Sequence, residues 1–126
     1  MRARAAMGAG LALALAGLAH AELIEIGWGD TGRFERQLSL APGKFAEICG
    51  PLQAGQTVNW NYQSDQALNF NIHYHLGKEV RYPARVEQSS QEQGSLVVDG
   101  AQDYCWMWSN KSRQTVKLSV TLSLPK

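Results

Sequence analysis

Long apolar runs, helical periodicity and one-signed charge are all scarce in this sequence, and each scarcity removes a class of function. The one extended apolar stretch, residues 7–18, falls short of the 18 or more residues that a membrane-spanning helix needs, and nothing like it recurs downstream. No membrane insertion is expected. Twelve Lys and Arg stand against eleven Asp and Glu, with both signs scattered along the chain, which argues against nucleic acid as a partner. Catalytic signatures are missing as well: there is no G-x-S-x-G elbow, no phosphate loop, no H-E-x-x-H and no C-x-x-C-H haem site. The expectation is a binding protein and not an enzyme.

What is present begins with a leader. Arg2 and Arg4 form a basic start, residues 7–18 an apolar centre, and Ala19-His20-Ala21 a small-residue cleavage site, the three parts of a secretory signal peptide. Cleavage after Ala21 leaves residues 22–126 as a single periplasmic or secreted domain, and losing Arg2 and Arg4 takes the formal net charge from +1 to −1. Cleavage after Ala19 would instead leave His20 as a copper-chelating N-terminus, the arrangement of a copper oxidase, but Ala21 is better separated from the apolar centre. The only two cysteines, Cys49 and Cys105, both fall in the mature chain. An oxidising compartment and an even count favour one intrachain disulfide over two free buried thiols.

The mature chain alternates apolar and polar residues between short turn signals, the pattern of an all-β domain. Strands are expected at residues 34–40 and 45–49, ended by Ala41-Pro42-Gly43 and Gly50-Pro51. Two more are expected at residues 56–64, with Val58, Trp60 and Tyr62 inward, and 68–75, with Leu68, Phe70, Ile72 and Tyr74 inward. Residues 76–93 turn polar and read as an exposed segment with one edge strand at 85–88. Further strands are expected at 94–98, 104–108 and 115–124, the last with Val116, Leu118, Val120 and Leu122 inward. Turns at such short intervals favour an antiparallel β-sandwich. Trp60, Trp106 and Trp108 fall on inward positions, so core packing is preferred to carbohydrate stacking, while Trp28 sits in a glycine-rich stretch and could be exposed.

The stretch Gly94-Ser-Leu-Val-Val-Asp-Gly-Ala-Gln-Asp-Tyr-Cys-Trp-Met-Trp-Ser-Asn110 resembles the closing half of a GOLD domain, the lumenal jelly-roll-like β-sandwich of secretory-pathway cargo receptors. The likeness extends through Thr57-Val-Asn-Trp-Asn-Tyr and Leu68-Asn-Phe-Asn-Ile. It implies a binding role, and it supports a bridge between Cys49 and Cys105, since cargo receptors pair the cysteine of this strand with one near the domain start. Asp103 stands where a glycine usually precedes the tyrosine, and the coiled coil, transmembrane helix and cytosolic tail of the receptors are missing. Those departures point to a single exported domain of bacterial type.

The sharpest chemical signal is His73-Tyr74-His75, which holds both histidines that remain once His20 is removed. On a strand, residues two apart leave the same face about 6.6 Å from one another, within reach of one ion. Because Leu68, Phe70, Ile72 and Tyr74 fill the core, His73 and His75 are expected to face outward into solvent beside Asn69 and Asn71. Met107, the only methionine outside the leader, is expected on the outer side of its own strand and would complete a cluster if the two strands are neighbours. Two imidazoles and a thioether suit copper, Cu(I) above Cu(II). The expectation is therefore an exported, non-catalytic module binding copper through His73, His75 and Met107. A metal-free protein-interaction module is the alternative, and the copper oxidase with His20 a more remote one.

Overall fold

Period-two alternation commits most of this chain to strands, because successive side chains leave a strand on opposite faces. The computed structural model describes residues 21–125. In chain order its elements are β1 (Ala21–Glu25), β2 (Arg33–Leu40), β3 (Phe45–Leu52), β4 (Thr57–Leu76), β5 (Glu79–Val97), β6 (Gln102–Ser109) and β7 (Val116–Ser123). Residues 1–20 of the expected leader, with Met1, Met7 and His20, lie outside the described residues.

The strands form one sheet in the order β1-β3-β6-β4-β7-β2, with β5 pairing β4 off that path. The all-β expectation holds, and its antiparallel arrangement is corrected: a single sheet curls around the core as a half-barrel, and it is mixed, because β1 runs parallel to β3. The curl comes from β4, which is one long strand where two were expected. Its first arm pairs with β7 through residues 59–64, its second with β6 through residues 69–73. Polar residues hold the corner between the arms: Ser64 Oγ donates to the Gln66 carbonyl at 2.7 Å, and Asp65 Oδ1 accepts the Lys117 N–H at 2.9 Å.

The polar segment 76–93 is likewise corrected, since most of it belongs to β5, the other half of a long hairpin with β4. Three register shifts disguise it. Between Gln63 and Leu68 β4 advances five residues while β5 advances two, and between Leu68 and Phe70, and again between Ile72 and Tyr74, β4 advances two while β5 advances three. Gln88 at the Leu68–Phe70 shift adopts a left-handed φ of 51°, and its N–H and side-chain amide both donate to Asn69 Oδ1 at 2.9 Å. Pro83 lies at the Ile72–Tyr74 shift, where its missing N–H leaves no ladder bond unmade.

The expected inward rows line one core. Val58, Trp60, Tyr62, Leu68, Phe70, Ile72, Trp106, Trp108 and the four apolar residues of β7 are all buried, and Trp28 is half-buried against them. Phe70 sits 5.0 Å from Tyr62 and 5.4 Å from Trp108 between ring centroids, and Tyr62 meets Trp108 edge-on at 5.7 Å. Asn110, fully buried, donates to the carbonyls of Leu40 and Gln114 while its Oδ1 accepts from the N–H and hydroxyl of Ser112, so every polar atom it buries is satisfied. Cys49 and Cys105 stand directly opposite on β3 and β6 and are disulfide-bonded.

Candidate functional site

Residues opposite one another in an antiparallel ladder share a face, so the register alone assembles the outer surface of the β3-β6-β4 arm. Glu47, Met107 and Asn71 form one row across the three strands, and Cys49, Cys105 and His73 the next. β6 and β4 are neighbours, which puts Met107 directly opposite Asn71 and diagonal to His73.

The register shift between Ile72 and Tyr74 completes the surroundings. Tyr82 and Pro83 together oppose His73, which brings the Tyr82 ring to 6.1 Å from the imidazole between centroids. The Arg85 guanidinium in turn stacks on Tyr82 at 4.6 Å. His75 lies edge-on to His73 at 5.5 Å.

His73 does face away from the core, but it is not solvated as expected: covered by these neighbours, it retains only 6% exposure, whereas His75 is exposed. Both of its ring nitrogens are engaged. Nδ1 lies 2.7 Å from Asn71 Oδ1, and Nε2 lies 3.3 Å from Glu47 Oε1. Burial lowers the His73 pKa below its ordinary value, and the Glu47 carboxylate counteracts this without reversing it, with His75 adding to the lowering.

Glu47 is the residue that sequence reading missed. Its oxygen, a His73 nitrogen and the Cys105 sulfur all lie within 4.8 Å of one another, but the sulfur is committed to the disulfide and offers no thiolate. The signal for Glu47 was available in the cysteines. Once Cys49 is opposite Cys105 in an antiparallel pair, Glu47 must stand opposite Met107 on the same face.

A second feature lies at the far end of the hairpin, where Leu76, Val80 and Tyr82 expose 45%, 38% and 45% of their surface. Val80 pairs with His75 and shares that face with Tyr82, so these two border the histidines, whereas Leu76 pairs with Glu79 on the opposite face.

No family model matches the chain, and no curated protein matches it in sequence. Solved structures do share its fold. PliG of Aeromonas hydrophila, a periplasmic inhibitor of g-type lysozyme, superposes with a TM-score of 0.64 at 14% identity, over 84% of this chain and 98% of that one. The pre-peptidase C-terminal domain of a Bacillus anthracis collagenase gives 0.60 at 9% identity, over 82% and 95%. A mutant of the Escherichia coli PliG gives 0.55 at 10% identity, over 85% and 100%. These likenesses establish a small all-β fold, and the GOLD resemblance has no counterpart among them.

Proposed function

We propose that this chain is an exported, non-catalytic domain that binds another protein through the far end of its β4–β5 hairpin. The observation that carries the reading is the pair Val80 and Tyr82, exposed on one face of a hydrogen-bonded two-stranded arm. Large side chains held in the open on a rigid element supply contact area with little ordering cost, and an aromatic residue backed by an arginine is a common anchor of protein interfaces. Tyr82 under Arg85 has that form.

Export is supported by the leader sequence and by a disulfide that persists only in an oxidising compartment. The choice of a first partner comes from the fold, which this chain shares along nearly the whole length of two periplasmic inhibitors of g-type lysozyme. Fold alone does not carry function, so the partner has to be measured. The purified domain should bind a g-type lysozyme and slow its clearing of cell walls, with and without a chelator. Val80→Asp and Tyr82→Ala should each weaken binding by at least about tenfold if they sit at the centre of the contact. Absence of binding, or binding unchanged in both variants, removes this reading of the hairpin.

A further inference from the structure

We propose that the protein bound by the hairpin also lays an extended segment, basic on either side of an apolar residue, into a groove over the Cys49–Cys105 disulfide. The inference rests on the hairpin reading and names the chemistry that the partner must present.

The two outer faces of the curled sheet differ in kind. Where β7, β4 and the end of β5 adjoin, the face carries amides and hydroxyls, with Asn59, Asn61, Gln93, Ser95, Thr121 and Ser123 in adjacent rows and the exposed Val97 at its margin. On the other arm one row crosses five strands as Glu25, Cys49, Cys105, His73 and Tyr82. That row joins the hairpin anchor to further apolar surface, because Leu23, beside Glu25 on β1, leaves 73% of its surface open.

A groove of about 650 Å³ lies at the β1 end of the row. Its floor is low because the disulfide and Gly50 are small, and its rim is tall, with Leu23 and Glu25 on β1, Pro51 on β3 and Asp103 on β6. Alternation puts these side chains on the face of the cysteines, since Ile24 and Tyr104 between them point into the core.

Charge selects the occupant. The ion pairs among the described residues are Arg33–Glu35, His73–Glu47 and Arg81–Glu79, so Glu25 and Asp103 flank the groove with no cation paired to either. Lysine and arginine lay an apolar stem on such a floor while the charged head reaches a carboxylate. Glu25 and Asp103 are two strands and one two-residue step apart, which separates their Cα atoms by about 12 Å. In an extended segment, residues i, i+2 and i+4 share a side and span about 13 Å. Basic residues at the two ends of that span meet the carboxylates, and an apolar residue between them rests on the disulfide near Leu23.

The probe is the acetylated, amidated peptide Arg-Gly-Leu-Gly-Arg, titrated into the nitrogen-15-labelled exported protein. A second peptide carries citrulline for both arginines, which keeps the shape and removes the charge. The arginine peptide should bind saturably below about 10 mM and shift the amides of Leu23, Glu25, Cys49, Asp103 and Cys105. The citrulline peptide should bind at least about threefold more weakly, as should the arginine peptide to a Glu25→Gln, Asp103→Asn double variant. Thermal melts verify that the variants fold. No saturable binding of the arginine peptide, equal binding of the two peptides, or affinity unchanged in the double variant overturns the proposal. Val80→Asp and Tyr82→Ala should leave peptide binding unchanged, so the groove is judged apart from the hairpin. With g-type lysozyme, weakening by the hairpin variants but not by the double variant refutes the shared partner and leaves the hairpin reading standing.

Discussion

The backbone of Gly94 on β5 runs directly beneath the indole of Trp60 on β4, its hydrogen-bonded neighbour. A Cβ at position 94 would meet Trp60 Cζ2 at 2.8 Å, closer than real side chains approach. Trp60 is buried and itself stacks on Phe70 at 5.0 Å, so the ring has little room to yield. Gly94→Ala should therefore destabilise the domain by about 2 kcal/mol through overpacking. Urea denaturation followed by tryptophan fluorescence measures this, and an unchanged midpoint would show that the ring can move aside.

Asn110 anchors the connection between β6 and β7 to the end of β2. Removing its amide strands the Leu40 carbonyl and the groups of Ser112 and Gln114 that it satisfies. Asn110→Ala should cost about 3 kcal/mol, more than an average hydrogen bond, because buried partners are left unpaired. Asn110→Asp should also destabilise, since a carboxylate cannot donate to the two carbonyls.

The disulfide closes a loop with a sequence separation of 56 residues. In the chain-entropy treatment this is worth about 4 kcal/mol, so a Cys49→Ala, Cys105→Ala double variant should lose roughly that amount in chemical denaturation. The native protein should show no alkylatable thiol until it is unfolded and reduced.

Alkaline pH should destabilise the fold. Burial pushes the Tyr62 hydroxyl up to about 12, with its hydrogen bond to Ser89 pulling the other way. Between pH 10 and that value the unfolded chain loses this proton while the folded chain keeps it, so stability is complete below about pH 10 and falls as pH rises. The loss reaches about 2 kcal/mol at pH 12. Tyr104 is also raised, chiefly by burial, so Tyr62→Phe should remove part of the slope and leave the rest.

Where period two runs unbroken, the residues report their own placement. The inward rows of β6 and β7, and both arms of β4, could be read from alternation alone, and Trp60, Trp106 and Trp108 lie in the core as their positions require. β5 could not be read in this way, because each register shift reverses the phase of its side chains, and its outer face is polar. β1 pairs by a parallel ladder, which leaves no hairpin signal. At the candidate site, the direction of His73 was legible and its burial was not. The cover comes from Glu47 on β3 and Tyr82 on β5, strands whose position relative to β4 depends on the whole sheet.

The sheet order carries a consequence for how this chain folds. Among the described residues β2 lies at the sheet edge and pairs only with β7, Arg33 facing Ser123 at one end of the ladder and Leu40 facing Val116 at the other. The strand that closes this edge is therefore the one farthest along the sheet-forming sequence from β2. Pairings between such distant segments form slowly, since the closure entropy must be met before the contacts can offset it. The core is sealed late, and a chain with its β2–β7 ladder unmade still exposes its apolar rows.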